Sequence, residues 1–287
     1  MLLLLTCSRR VRASQLENMA DELRIAIFGV TGRMGKALID AVEELPGASL
    51  SGASASPHSE WIGRELKALG GTSKAVIAGA AASALTGAAV AIDFTLPEAT
   101  VSNLAACVAA RCPIVIGTTG HSEALRAQIA AASSSIPVLY SPNMSLGVNL
   151  LLRLVELTAQ KLDETYDIEI FEAHHRNKKD SPSGTALALG RSAAAGRGVN
   201  LDEVAEHDRH GSSAARRPRA IGFSVFRGGD VIGDHTVTFA GIGERVELTH
   251  RASDRMAFAR GALTGAQWLA QRSPGLYSMQ DVLGLSK

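Results

Sequence analysis

The chain of 287 residues sets 29 lysines and arginines against 28 acidic residues, a formal net charge of +1. That balance offers no broad basic surface for nucleic acid or an anionic membrane, and no acidic surface for a basic partner. The length exceeds one ordinary domain, so two are expected. With 46% hydrophobic but only 4% aromatic residues, their cores must be built from Ala, Val, Leu and Ile.

The opening MLLLLTCSRR pairs an apolar run too short for a secretory h-region with arginines that follow it instead of leading it. Residues 1–18 are therefore read as a tail outside the fold, or as an over-extended start upstream of Met19. No later stretch approaches the ~18 apolar residues of a membrane span. Cys7, Cys107 and Cys112 lack CxxC spacing, which points to reduced packing thiols and a cytoplasmic protein.

From residue 23 to 29, LRIAIFG reads as a short buried parallel strand, and 35–45 places Leu38, Val42 and Leu45 on one helical face before Pro46 and Gly47 stop it. ASLSGASA, VAIDFT, PIVIGTTG and IPVLYSPNMS continue as strands, separated by helical stretches such as 101–110. Such alternation predicts βαβ units and a doubly wound parallel sheet. After about residue 147 the character changes. An amphipathic helix over 148–162 leads to DIEIFEAHH, where Ile168, Ile170 and Glu172 share one parity. A helix from near Ser183 and three β-like runs, IGFSVFRGG, DVIGDHTVTFA and ERVELTHRA, then predict a mixed or antiparallel sheet. The expected organisation is a Rossmann-type α/β domain over 19–145 and 255–287, with a second, α+β domain over 146–254.

Gly29, Gly32 and Gly35 in GVTGRMG follow the first strand and open a helix, as a pyrophosphate cradle requires; a plain tight turn accounts for the same glycines. After the second strand stand Ser54, Ala55, Ser56, Pro57 and His58, where NAD enzymes usually carry a carboxylate for the ribose. Its absence removes a barrier to a 2'-phosphate, and Arg33 is placed to pair with one, so the reading leans to NADPH with dual use open. Gly117, Thr118, Thr119 and Gly120, and Ser141, Pro142, Asn143 and Met144, lie at further strand ends where ribose and nicotinamide would be held, although ordinary turns use the same residues. The densest signal is EAHHRNKKDSPSGT, residues 172–185. Its histidines, Arg176, Lys178 and Lys179 precede Ser183, Gly184 and Thr185 at a helix N-terminus, a combination suited to a small polyanion. A solvated basic loop before a capped helix remains open. The tandem histidines lack a third ligand at zinc-like spacing, so no metal is expected.

These strings, with IDFTLPEAT, SPNMSLGVN and GDHTVTFAGIGERVELTHRASDR, closely resemble the 4-hydroxy-tetrahydrodipicolinate (dihydrodipicolinate) reductase family from about residue 23 to 285. The resemblance implies a Rossmann-type domain built from both chain ends, a central substrate domain and a homotetramer formed through the substrate-domain sheets. It implies reduction by NADH or NADPH of a small cyclic imine bearing two carboxylates, on the diaminopimelate route to lysine. By position it implies that His174 handles a proton and Lys178 donates one. His175, Ser183, Gly184 and Thr185 would bind substrate, while Gly29, Val30, Thr31, Gly32, Arg33, Met34, Gly117–Thr119 and Ser141–Met144 would contact cofactor. Many relatives carry an acidic residue and then an arginine where this chain has Ala55 and Ser56, so cofactor preference does not transfer. The rival readings are another two-domain dehydrogenase, of the aspartate or homoserine type, and a nicotinamide-binding sensor without turnover. Neither gives a reason for HHxxK followed by PSGT.

Overall fold

A computed structural model describes residues 22–210 and 215–286. The tail assigned to 1–18, the start at Met19 and Cys7 lie outside them. In chain order the elements are β1 (Leu23–Phe28), α1 (Arg33–Glu43), β2 (Ala48–Ser54), β3 (Ile77–Ala78), α2 (Ala81–Ala84), β4 (Val90–Asp93), α3 (Pro97–Ala110), β5 (Ile114–Ile116), α4 (Glu123–Ala132) and β6 (Pro137–Tyr140). There follow α5 (Leu146–Lys161), β7 (Asp167–His174), α6 (Gly184–Gly196), α7 (Leu201–Val204), β8 (Ala205–Glu206), β9 (Ile221–Arg227), β10 (Gly233–Gly241), β11 (Glu244–Ala252), α8 (Met256–Leu269), β12 (Gly275–Tyr277) and α9 (Met279–Val282).

The chain divides into two compact units, residues up to Ser141 with Ala259–Ser278, and Pro142–Phe258 with Met279–Lys287. The sequence reading broke the chain after 145 and kept 255–287 together with the first domain. The last segment groups with the second unit, where Gln280 Nε2 donates to the Asn149 carbonyl of α5 at 2.7 Å.

The first unit is built on a seven-stranded sheet in the order β12-β6-β5-β4-β1-β2-β3. Every pairing is parallel, as expected for a doubly wound fold. Ile25, Ala26, Ile27 and Phe28 of β1 are fully buried, because helices cover both faces and no solvent side exists for a polar residue to occupy. On one face of the sheet Ala26 and Phe28 pack with Ala91, Leu104, Ile114, Ile116, Ile129 and Val138, the small and branched residues that low aromatic content demanded. Strand order reverses at β1, with β2 on one side and β4 on the other. At such a switch point the connections leave to opposite faces, opening a crevice beyond the carboxyl ends of the strands.

The second unit has a five-stranded mixed sheet, β11-β10-β7-β9-β8. β10 runs antiparallel to β7 and β11, whereas β9 runs parallel to β7 and β8. One face packs on α5 and α6 through Val155, Ile168, Ile170, Leu189, Val237 and Phe239. Strand alternation therefore carries Ile168, Ile170 and Glu172 inward together, the parity read from the sequence.

Two short edge strands, β3 and β12, and β8 were not legible in the sequence, since two or three residues carry no measurable period. The first helix begins at Arg33 and not at Gly35, so Arg33 and Met34 form its first turn. Gly35 is where the turn and the helix press together: a Cβ there would lie 2.4 Å from the Val30 carbonyl oxygen and 2.5 Å from that of Gly29. Both obstacles are backbone and cannot rotate away. Gly35→Ala is expected to destabilise the protein by about 1–3 kcal/mol, read as a lowered denaturation midpoint; a wild-type midpoint would contradict this packing.

Candidate active site

In the first unit the crevice at the switch point is a cavity of about 640 Å³. Gly29, Thr31 and Gly32 line it beside Ser54–Pro57 after β2, Gly79–Ala82 after β3, and Phe94, Thr95 and Leu96 after β4. Gly29 has φ of +79°, a conformation that side chains resist, and a Cβ on it would meet Thr95 at 2.9 Å. Helix α1 starts beyond Gly32 with no side-chain cap on its first amides. Uncapped N–H groups at a helix start, reached over side-chain-free backbone, form a cradle for phosphate.

Next to this cavity lies a carboxylate to which the sequence pattern assigns no role. Asp93 is fully buried at the end of β4. Its Oδ1 accepts from the Thr95 amide at 2.9 Å, the Thr95 hydroxyl at 2.6 Å and the Thr118 hydroxyl at 3.2 Å. Asn103 of α3 donates to Thr95 at 3.3 Å. These bonds tie the turn after β4 to the turn after β5. The available signal was a lone acid closing an otherwise apolar strand.

The second unit assembles a polar cluster around Glu172, which has no exposed surface. His174 Nδ1 lies 2.5 Å from its Oε2. Arg227, at the end of β9, donates to both carboxylate oxygens at 2.8 Å. The Ser183 amide, just before α6, donates to Oε1 at 2.9 Å. Ser183 Oγ caps α6 by accepting from Ala186 and lies 3.1 Å from His235 Nε2. His235 also stands edge-on to His174, with centroids 5.1 Å apart. Lys178 Nζ sits 2.9 Å from Asp180 Oδ1.

Burial opposes ionisation of Glu172, yet the bonds from Arg227, His174 and Ser183 together hold its carboxyl below the ordinary range. Burial also pushes His174 below its usual value, against the pull of Glu172, while Lys178 and Arg227 add to the depression. Burial therefore favours the uncharged ring. With the proton on Nδ1 facing a carboxylate, the lone pair lies on Nε2.

The structure brings His174, Lys178 and Ser183 into one neighbourhood of the second unit. His175 is half-buried, its amide bonded to the Val231 carbonyl at 2.7 Å. Gly184 and Thr185 form the first turn of α6, and Asn143 Nδ2 donates to Thr185 Oγ1 at 3.1 Å. Of the expected cofactor contacts, Gly29, Thr31 and Gly32 line the cavity; Val30 and Met144 are buried, so their side chains serve the core. Arg33 is exposed on the first turn of α1. Gly117–Thr119 sit beyond β5 and Ser141–Met144 beyond β6, both outside the lining of that cavity. His235 and Arg227 were missed. His235 shares the inward parity of Val237 and Phe239, a polar residue in a core position, and that was the signal available. Among the described residues no group of three or more His, Cys, Asp or Glu is placed to hold a metal ion. No helix among them is long and apolar enough to cross a membrane.

A parallel sheet with a glycine cradle at its switch point, joined in one chain to a mixed sheet carrying a buried His-Glu pair, defines a two-unit oxidoreductase of the nicotinamide type. Family models described as dihydrodipicolinate reductase, N-terminus and C-terminus, match residues 23–144 and 147–283. The 4-hydroxy-tetrahydrodipicolinate reductase of Thiobacillus denitrificans is 53% identical over 264 residues, covering 92% of this chain and 99% of the relative. That of Alkalilimnicola ehrlichii is 51% identical, covering 91% and 99%. A dipicolinate-bound dihydrodipicolinate reductase from Paenisporosarcina sp. TG-14 shares the fold with a TM-score of 0.71 at 22% identity, over 91% of this chain and 98% of that one. The chain belongs to the 4-hydroxy-tetrahydrodipicolinate reductase family, NAD(P)H-dependent oxidoreductases of lysine biosynthesis by the diaminopimelate route.

Burial pushes His235 down to about 4, with the neighbouring His174 adding to the effect. Its folded value lies below the ordinary 6.5, so in acid the unfolded chain takes up the proton first. Stability from this group is complete above pH ~6.5 and drains away as pH falls through ~4, up to about 3 kcal/mol. His235→Gln is expected to flatten the dependence of the melting temperature on pH between 6.5 and 4. A variant as acid-sensitive as the parent would contradict the assignment.

Proposed function

We propose that the second unit binds the cyclic dicarboxylate substrate, 4-hydroxy-tetrahydrodipicolinate, through Lys178, His175, Ser183, Gly184 and Thr185, and that His174 and Lys178 handle the protons of its reduction. The first unit holds the cofactor at Gly29–Met34, with Gly117–Thr119 and Ser141–Met144 completing its contacts. What carries the reading is the pair His174–Glu172 at 2.5 Å, which leaves Nε2 as the ring nitrogen available to a substrate.

The nicotinamide, when bound, supplies hydride. The remaining chemistry belongs to the chain: the 4-hydroxyl must leave as water, and one proton must be taken up per turnover. The ammonium of Lys178 is a proton source, and Nε2 of neutral His174 takes up or relays a proton without the cost of burying a second free charge. Lys178 has a second task. Its partner Asp180 is 57% exposed, so a substrate carboxylate can take its place without leaving a buried charge unpaired. Ser183 fixes the start of α6, and the amides of Gly184 and Thr185 suit the second carboxylate.

For the cofactor, exposed Ser56 on the cavity rim, without a carboxylate at either 55 or 56, supports a lean to NADPH, with NADH also used. The sheet face of the second unit that carries Phe171, Phe226, Thr236 and Thr249 supports the homotetramer. Phe171 and Phe226 stay 45% and 47% exposed, apolar area that identical copies would cover. A cytoplasmic setting fits the use of NAD(P)H and the buried free thiols Cys107 and Cys112.

With purified protein, NAD(P)H should be oxidised on addition of the cyclic substrate, whereas NAD(P)+ should not be reduced on addition of aspartate or homoserine; the reverse would overturn the reading. Lys178→Gln should lower kcat by ~10²-fold or more and raise KM, because donor and counter-charge go together. His174→Gln should lower kcat with KM within a few-fold of the parent. Parental kinetics in both variants would refute the roles. Ser56→Asp should weaken NADPH binding by ~10-fold or more through repulsion of the 2'-phosphate and spare NADH; equal loss of both would refute the cofactor assignment.

A further inference from the structure

We infer that Glu172 and Arg227 act together as positioning residues for His174: a buried carboxylate and its guanidinium partner fix which ring nitrogen faces the substrate and how readily that ring accepts a proton. The inference rests on the assignment of His174 as the proton-handling group.

Glu172 reaches His174 from two residues away on β7, a spacing that puts both side chains on the same face of one strand. The same carboxylate accepts from the amide of Ser183, so the imidazole and the N-terminus of α6 hang from one anchor. A buried anion needs compensation. Arg227 provides it bidentately at 2.8 Å from the neighbouring parallel strand, and its Nη2 also donates to the Asp180 carbonyl at 2.6 Å. One guanidinium thus holds the carboxylate behind His174 and the backbone of the loop that carries Lys178. The register of β7 and β9 sets this up, since His174 lies directly opposite Arg227.

The titratable and charged groups around His174 come from several elements: Glu172 on β7, Lys178 in the following loop and Arg227 on β9 act on its charge, and His235 on β10 is in ring contact with it. Glu172 favours the imidazolium; burial, Lys178 and Arg227 disfavour it. The two partners therefore make opposite predictions. Removing the negative charge should drive the His174 titration lower, and removing the positive charge should let it rise.

The test is a histidine-selective ¹⁵N titration of the whole protein without substrate, comparing the parent with Glu172→Gln and Arg227→Gln, with His174→Gln used to assign the resonance. Glutamine at 172 keeps an acceptor for Nδ1 while deleting the charge. The expected result is a His174 midpoint below the parent in Glu172→Gln and above it in Arg227→Gln, each displaced by ~1 pH unit. In Glu172→Gln, kcat should fall ~10-fold or more while KM stays within about three-fold. Should either single variant fail to fold, the double variant Glu172→Gln with Arg227→Met removes both charges and should return the midpoint to within ~0.5 unit of the parent. Midpoints that do not move, or that move the same way in both variants, would overturn the inference while leaving His174 as the proton-handling residue. Parental turnover in His174→Gln would overturn both.

Discussion

The second unit depends on one buried carboxylate. Glu172 lies on the inward face of a strand that also turns Ile168, Ile170 and His174 inward, and it can stay ionised there only because four bonds meet it. Without Arg227 the carboxylate would lose its compensating charge, at a cost of several kcal/mol, whereas Arg227 is partly exposed and keeps bonds to the Phe226 and Asp180 carbonyls. Well-packed apolar side chains could occupy that space at no such risk. The ion pair is therefore better understood through what it holds: the ring of His174, the entry to α6 and the loop bearing Lys178. On the function proposed for His174 and Lys178, the fold spends stability where fixed geometry is needed.

The first unit meets a different constraint, that of letting backbone come close to an anion. Gly29 accepts a positive φ and Gly35 accepts contact with two carbonyl oxygens, and together they leave the start of α1 uncapped and approachable. Asp93 then joins the turns after β4 and β5 through Thr95 and Thr118. In both units a buried acid towards the carboxyl end of a strand organises the polar loops beyond it.

Much of this was legible in the sequence. The glycine spacing after a β-branched run marked the cradle, the βα alternation gave the parallel sheet, and the histidine-lysine segment before PSGT marked the polar loop. Parity alone turned Glu172 inward, although nothing local said why an acid should be there. The reason lies at Arg227, brought opposite His174 by strand pairing that leaves no periodic trace. His235 was hidden for the same reason: its partner Ser183 is on another element, and only the pairing of β10 with β7 unites them. The edge strands β3 and β12 were too short to show a period, and the first helix starts two residues early because Arg33 and Met34 have helical backbone ahead of Gly35.

The central claim is that the group organised by Glu172 is where a planar dicarboxylate meets the protein. It is tested most directly by titrating the protein, labelled with ¹⁵N in histidine and lysine side chains, with pyridine-2,6-dicarboxylate. Binding should perturb the His174 ring nitrogens and Lys178 Nζ together, along one saturation curve. Saturable binding that leaves both resonances where they were would contradict it.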